Sequence, residues 1–352
     1  MQSARCLKLL ALLIYIVALS GCSSLGYYWQ AIHGHFDIVS REQPIKEILQ
    51  RSDLDPSLRR KLLLVEQARQ FASAQLDLPD NDSYTEYADL QRPYVTWNVI
   101  ATPEFSITPR RWCYLVAGCF NYRGYFHEPD ARAFAKQLKR EGYDVAIAGA
   151  WAYSTLGWFD DPVLNTMLQH DDTDVVGTLF HELGHQTVYV KNDSSFNESF
   201  ANTVEQEGLR RWYLHTGEPA RYQAYLQRRQ QRNAIIKMLE DTRASLRTVY
   251  ARPLTDEQKR EQKAKVFAAL KREYQRWRES HRYDGYDRWM QQKLNNAHLA
   301  LIATYSDKVP AFLAMLAAEH GNLPAFYQEA RRVGKLPPAK RQAVLARYAH
   351  AQ

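Results

Sequence analysis

Cysteine, long apolar runs and concentrated positive charge are all scarce in this sequence. Only 4 of the 352 residues are cysteine, and once Cys6 and Cys22 near the N-terminus are set aside, two remain, which is too few for a cysteine-built zinc site. The apolar run Leu9–Leu19 is too short for a membrane span, which needs about 20 residues. The formal charge of +7 includes no dense Lys/Arg patch with interleaved aromatics, so nucleic-acid binding is not expected. No Gly-rich phosphate loop and no G-x-S-x-G motif occur, which leaves nucleotide chemistry and serine catalysis without support.

The N-terminus has the pattern of an export signal. Arg5 and Lys8 precede the apolar run, and Leu-Ser-Gly-Cys follows it, ending at Cys22. This ending resembles the lipobox of bacterial lipoproteins, which implies cleavage before Cys22 and acylation of its thiol. Ser23 at the next position, in place of Asp, favours the outer membrane within that class. An ordinary secretory signal and an uncleaved anchor are the alternatives.

The remaining chain predicts an α+β fold that is mostly helical. Residues 22–41 are expected to be a tether, residues 42–217 a core with a small mixed β-sheet, and residues 218–352 a helical region packed on that core. Apolar residues at helical spacing predict a helix at Pro56–Leu76 and helical turns at Val163–His170, whereas β-branched and aromatic runs predict strands at Tyr94–Ala101, Ile107–Ala117 and Tyr143–Ala150.

The most informative stretch is His181-Glu182-Leu183-Gly184-His185, in a predicted helix from about Asp174 to Val190. Residues four apart lie on one helix face, so both histidines can bind the same ion. Glu182 can then reach a metal-bound water as a general base. The pattern predicts a hydrolase with one Zn²⁺ per chain.

A second predicted helix, Asn197–Tyr213, supplies the candidates for a third ligand. Glu198, Asn202 and Glu205 recur along one of its faces. Glu198 is the preferred ligand because the spacing suits antiparallel packing of the two helices. Glu205 is either an alternative ligand or a carboxylate that orients a histidine, and Asn202 belongs to the same supporting group.

His-Glu-Leu-Gly-His-Gln followed by Asn-Glu-Ser-Phe-Ala resembles the gluzincin metallopeptidases. The resemblance implies that residues 42–217 are a zincin-like catalytic core, that His181, His185 and Glu198 bind zinc and that Glu182 is the catalytic base. The twelve-residue gap between His185 and Glu198 is shorter than in membrane alanyl aminopeptidases, and their amine-binding glutamate segment has no counterpart.

The chain is also similar to a bacterial family described as predicted aminopeptidases, many of them with lipoprotein signals. The segments that carry this similarity are Tyr-Arg-Gly-Tyr-Phe from Tyr122, Ala-Tyr-Ser-Thr-Leu-Gly-Trp-Phe from Ala152, and Asn-Glu-Ser-Phe-Ala-Asn from Asn197. The similarity implies zinc-dependent hydrolysis of peptides in the cell envelope, at the outer membrane facing the periplasm. Cleavage at a chain end and cleavage within a peptide both remain open, as does the oligomeric state.

Three further expectations concern individual residues and alternatives. Tyr153 is the first candidate for a donor to the oxyanion of the transition state. Cys113 and Cys119 are either bridged or two small buried thiols. The alternative function is a non-catalytic envelope lipoprotein in which a structural zinc supports a peptide-binding or docking module, tethered through its N-terminal lipid.

Overall fold

Helices make up most of the described residues, whose short strands all lie in the first half of the chain. The computed structural model describes residues 26–114, 118–152, 160–300 and 308–350, and the α+β, mostly helical class is as predicted. Cys22 and Tyr153 lie outside the described residues. Among the described helices, none combines the length and the apolar content that a membrane crossing requires.

The strands form two three-stranded sheets and one hairpin. The mixed sheet has the order β1 (Glu42–Pro44), β2 (Glu86–Ala88), β8 (Val163–Leu164), and the antiparallel sheet has the order β6 (Arg123–Tyr125), β3 (Thr96–Pro103), β7 (Tyr143–Ala150). The hairpin joins β4 (Trp112–Tyr114) to β5 (Gly118–Phe120), and a disulfide connects Cys113 to Cys119 across it. The bridged alternative for the two cysteines is therefore the one adopted.

Two predictions for the β region are wrong in part. Residues 107–111 are not a strand, and only Trp112–Tyr114 of that predicted segment pairs in the described chain. Val163 and Leu164, which were predicted to begin a helix, instead pair in parallel with β2, and both side chains are buried there. Their burial between sheet and helices outweighs the local helical pattern.

Helices alternate with these strands and then continue alone to the C-terminus. In chain order they are α1 (26–39), α2 (Ile45–Ile48), α3 (Pro56–Leu76), α4 (Glu128–Arg140), α5 (Asn165–Leu168), α6 (Asp172–Thr187), α7 (Ser194–His215), α8 (Pro219–Tyr250), α9 (Asp256–His281), α10 (Asp287–Met290), α11 (Asn296–Ala300), α12 (Val309–Ala318), α13 (Leu323–Gly334) and α14 (Pro338–His350). The long charged helices α8 and α9 pack on each other around Ile235, Leu239 and Leu270, as a helical pair.

The predicted tether is largely the helix α1. Tyr27 stacks on Tyr114 of the hairpin with ring centroids 4.9 Å apart. The amide of Gln30 donates to the Gly124 carbonyl (3.2 Å) and accepts from the Phe126 N–H (3.1 Å). These contacts, made by residues three apart on the helix, hold the segment against β6. No local pattern in the sequence predicts them.

Helices α6 and α7 are the pair that positions the candidate site. The Asp171 carboxylate caps α6 by accepting from the Asp174 N–H (3.1 Å), and Asp193 caps α7 by accepting from the Phe196 N–H (3.0 Å). Gly184 faces α7 so closely that an added Cβ would lie 3.3 Å from Val204. This close approach brings the polar faces of the two helices together.

The other side of α6 lies in the main core. Val175, Val176, Leu179, Phe180 and Leu183 are buried there. Helix α3 packs against α6 and α12 packs against α7, so the pair is held from both sides. The polar faces of α6 and α7 are therefore supported by packed helices on both sides.

Candidate metal centre

Two imidazoles on α6 point at the same place. Nε2 of His181 lies 3.1 Å from Nε2 of His185, and the two rings meet edge to face with centroids 4.8 Å apart. The four-residue spacing places them on one helix face, as the sequence predicts. Two nitrogens with accessible lone pairs at this separation suit a shared ion.

Glu198 on α7 completes a group of three ligand atoms. Its Oε2 lies 3.4 Å from Nε2 of His181, and its Oε1 lies 3.6 Å from Nε2 of His185. Donors that hold zinc tetrahedrally at 2.0–2.2 Å stand about 3.3 Å from one another. The observed separations of 3.1, 3.4 and 3.6 Å match that spacing without any rearrangement of the backbone. Within the described residues, this is the set of His, Cys, Asp and Glu side chains that converges in this way.

The site is enclosed on the histidine side and open on the glutamate side. The side chain of His185 is 6% exposed and that of His181 is 16% exposed, whereas that of Glu198 is 40% exposed. An ion held by three protein ligands with one open side has room for an exchangeable fourth ligand, which is the arrangement of catalytic zinc sites. Structural zinc sites, in contrast, are closed by four protein ligands.

Asn197 fixes the start of α7 and therefore the position of Glu198. Its buried side-chain amide donates to the Val190 carbonyl (2.9 Å) and accepts from the Val190 N–H (2.8 Å). The two bonds clamp the connection between α6 and α7. This connection also explains why α6 ends at Thr187 and α7 begins at Ser194, three residues earlier than predicted in each case.

Asn202 makes a contact within α7. Its amide donates to the main-chain carbonyl of Glu198 (2.7 Å), one helical turn earlier. The contact ties Asn202 to the helical turn that carries Glu198.

Glu205 contacts the opposite edge of the His181 ring. Its Oε2 lies 3.3 Å from Nδ1 of His181, so Nε2 stays directed at His185 and Glu198. A carboxylate on the second nitrogen of a metal-binding histidine fixes the tautomer and the ring orientation. Of the two roles predicted for Glu205, the geometry matches the orienting one.

A tyrosine and an arginine from α8 extend this arrangement. The Tyr225 hydroxyl donates to Oε1 of Glu205 (3.0 Å) and accepts from Nη1 of Arg229 (3.0 Å). Neither residue was singled out from the sequence. They are spaced four apart on a charged helix, a pattern that is common on solvated faces, and only the packing of α8 on α7 reveals their role.

The protonation of the cluster reflects a shortage of positive charge. Burial alone would lower the pKa of His181, but Glu198, Glu205 and Glu182 outweigh it and raise that pKa well above its ordinary value. Burial lowers the pKa of His185, and the positive charge of His181 lowers it further. Burial opposes ionisation of Glu198 and Glu205, yet the bond to His181 lowers both carboxyl pKa values. Without an ion, a proton on His181 supplies the positive charge that the carboxylates require.

Glu182 and Tyr122 complete the polar surroundings. Glu182 is half-buried, and its charge contributes to the raised pKa of His181. Burial raises the pKa of the Tyr122 phenol, and the charges of Tyr27 and Glu198 raise it further. Tyr122 was not proposed from the sequence as a site residue, although it begins the Tyr-Arg-Gly-Tyr-Phe segment.

Three other histidines pack against aromatic rings. His170 lies on Trp151 with centroids 4.2 Å apart, His215 lies beside Phe71 at 5.2 Å, and His33 lies beside Trp29 at 4.2 Å. Within the described residues, none of them is part of the converging group.

Comparison with known families covers nearly the whole described chain. The family model described as "Putative aminopeptidase" matches residues 26–345. The chain belongs to this family. No match was found among curated proteins or among solved structures. The assignment to an aminopeptidase family indicates a peptidase. The match extends from α1 to α14, so it includes Tyr225 and Arg229 as well as the α6–α7 site.

Proposed function

We propose that this protein is a zinc-dependent peptide-bond hydrolase, an aminopeptidase first of all, anchored in the bacterial envelope. The observation that carries the proposal is the convergence of His181, His185 and Glu198 at the spacing of a tetrahedral site, inside a chain of the aminopeptidase family. These donors fit zinc well, since two neutral imidazoles and one carboxylate are a common catalytic set. Zinc bound there would lower the pKa of a coordinated water and polarise the scissile carbonyl.

Glu182 acts as the general base and acid. It follows His181 on α6, so its carboxylate can take a proton from the attacking water and pass it to the leaving nitrogen. Glu182 lies close enough to the centre for its charge to raise the pKa of the His181 imidazole. Tyr153 and Tyr122 are the two candidates for a donor to the developing oxyanion.

Glu205, Tyr225 and Arg229 hold His181 in position. The Glu205 carboxylate accepts from both sides, from the imidazole and from the Tyr225 hydroxyl, and Arg229 adds positive charge behind them. The chain of contacts restrains the ring so that Nε2 stays aimed at the ligand cluster. Helix α8 of the C-terminal region therefore supports the site.

The location follows from the N-terminal pattern. The Leu-Ser-Gly-Cys ending supports lipid attachment at Cys22, and Ser23 supports the outer membrane with the enzyme facing the periplasm. Peptides reaching that compartment are the substrate class. The exposed side of Glu198 supports a catalytic site over the alternative of a closed structural zinc in a docking module.

A peptide-library digest tests the proposal. The full chain, extracted in detergent, is incubated with peptides carrying free or blocked N-termini, before and after chelation and again after zinc is restored. We expect removal of N-terminal residues from free peptides only, loss of cleavage with the chelator, and recovery with zinc. Equal cleavage of blocked peptides would replace the aminopeptidase assignment by an endopeptidase one, and zinc-independent cleavage or none would contradict the proposed function.

A further inference from the structure

Helix α1 has an exposed apolar stripe. Trp29 is 67% exposed, Ile32 51%, Phe36 63% and Val39 43%. Steps of three, four and three residues place these side chains along one face of the helix. Single exposed apolar residues are ordinary, but an aromatic-rich row of four along a whole helix marks an interaction surface.

The opposite face of α1 fixes the direction of this stripe. Tyr27 and Gln30 contact the hairpin and β6, and Ile38 is buried in the main core. Gly34 lies so close to Phe126 that an added Cβ would meet its ring at 2.0 Å. The helix is therefore docked along its length, and the stripe points outward because the other face is already occupied.

The stripe carries no uncompensated negative charge. Asp37, the one acidic residue in α1, is bound by Arg41 at 2.7 Å and Arg92 at 2.9 Å, and these contacts lower the pKa of its carboxyl. The exposed polar neighbour His33 lies against the Trp29 ring. An apolar row with tryptophan and phenylalanine and without free acidic groups suits the boundary between lipid headgroups and acyl chains.

The position of α1 in the chain identifies the partner. Gly26, the first described residue of α1, comes four positions after Cys22, and this distance spans at most about 14 Å of extended chain. If the apolar run Leu9–Leu19 is retained as an anchor, Gly26 comes seven positions after its end, or at most about 25 Å away. In both arrangements the bilayer lies within reach of a helix that is about 21 Å long.

We propose that the exposed face of α1, formed by Trp29, Ile32, Phe36 and Val39, lies on the lipid surface as a second membrane contact beside the N-terminal anchor. The proposal rests on the envelope anchoring proposed above and is independent of zinc binding and of peptide hydrolysis. Because α1 is fixed to β6 and the hairpin, this contact sets the orientation of the whole molecule on the membrane.

Fluorescence from a single position on α1 tests the contact. The full chain with Cys6→Ser and Ile32→Cys is labelled with an environment-sensitive dye and reconstituted into vesicles of phosphatidylcholine and phosphatidylglycerol that contain brominated lipid. The matched control is Glu261→Cys, an exposed position on α9. We expect a blue-shifted label at position 32 that loses more than about half of its emission to the brominated lipid, and an aqueous, unquenched label at position 261.

Three outcomes would overturn the proposal. In the first, the chain floats with the vesicles but the label at position 32 stays in an aqueous environment, which would limit membrane contact to the anchor. In the second, the label is shielded from water but is not quenched by the brominated lipid, which would make the stripe an interface between protein copies. In the third, the chain does not float with the vesicles, which would remove the anchor as well.

Two controls keep these readings separate from the proposed enzyme activity. Phe36→Cys, one turn further along the stripe, repeats the measurement at a second position. Zinc content and peptide hydrolysis of each labelled protein are measured in parallel, and we expect them to equal those of the unlabelled chain. A protein that lacks the lipid contact but still hydrolyses peptides would therefore contradict this proposal and not the proposed zinc peptidase activity.

Discussion

Two groups of charged residues connect distant parts of this molecule, and they are built differently. At the α6–α7 face, Glu198 and Glu205 surround His181. Between α9 and the antiparallel sheet, Lys263 pairs with Asp144 at 2.5 Å and also donates to the Glu104 carbonyl at 2.9 Å. The second group also includes Arg260, whose guanidinium donates to both carboxylate oxygens of Glu104 at 2.7 and 2.9 Å.

The difference lies in the source of positive charge. Lysine and arginine are permanent cations, so Asp144 and Glu104 are compensated by the protein itself. Histidine is a weak base, and Glu198 obtains its compensation from His181 and His185, while Arg229 adds positive charge behind Glu205. Glu207, two residues from Glu205 on the same helix, shows the contrast locally because Arg210 and Arg211 bind it at 2.7 Å. The cluster in which weak bases face the carboxylate is the one with the geometry to hold an ion.

The largest expected effect concerns Glu182. Replacing it by Gln removes the base but leaves the three ligand atoms in place, so we expect hydrolysis to fall about 10²–10⁴-fold while zinc content is unchanged. Initial rates on a peptide substrate and elemental analysis of the same preparation measure both quantities. Glu279→Gln on α9, far along the chain from the site, serves as the control. Retained hydrolysis in Glu182→Gln would remove the proposed mechanism.

Breaking the group formed by Lys263, Asp144, Arg260 and Glu104 should lower the free energy of unfolding and leave the metal centre unchanged. In Lys263→Met the largely buried Asp144 loses its partner, and we expect unfolding free energy to fall by about 2–3 kcal/mol. Lys265→Met, which breaks an exposed pair with Glu261, should change it little. Urea unfolding measures the difference. A loss of zinc in Lys263→Met would show that the two groups are coupled.

Within α7, the contrast between Glu205 and Glu207 can be sharpened by matched substitutions. Glu205→Gln weakens the hold on Nδ1 of His181, and we expect zinc affinity to fall about 10–100-fold. Glu207→Gln disrupts two arginine pairs and should lower stability while leaving zinc affinity unchanged. Competition with a zinc-binding dye gives both affinities. Equal affinities in the two variants would deny Glu205 its orienting role.

The smallest effect is expected at Tyr225. Tyr225→Phe removes one hydrogen bond to Glu205 and keeps the ring, so we expect zinc affinity to fall by about fivefold, the value of one typical bond. Tyr222→Phe is the control, since Tyr222 stacks on Tyr225 at 6.0 Å without bonding Glu205 in the described contacts. The same competition assay applies. A loss as large as that of Glu205→Gln would mean that Tyr225 has a more direct role.

Local patterns in the sequence predict much of the fold. The helix Pro56–Leu76 and the strand Tyr143–Ala150 have the predicted bounds, because apolar spacing, proline starts and caps act within a few residues. The convergence of His181, His185 and Glu198 was also predictable. The histidine pair follows from helical periodicity alone, and the short connection limits where Glu198 can lie.

What the sequence did not reveal depends on contacts between distant segments. Helix α1 is held by β6 and by the hairpin, whose residues lie about a hundred positions away. The pairing of Val163 with β2 requires the mixed sheet to exist first. Tyr225 and Arg229 reach the site only because α8 packs back on α7. No local signal distinguishes these residues from an ordinary helix surface or core.

The central claim is that His181, His185 and Glu198 hold one metal ion, and zinc stoichiometry tests it most directly. The full chain, His181→Ala and the control His170→Ala are loaded with Zn²⁺, passed through a desalting column and measured by elemental analysis. We expect one zinc per chain in the unsubstituted protein and in His170→Ala, whose ring packs on Trp151, and none in His181→Ala. Equal zinc in all three proteins, or none in any, would contradict the account.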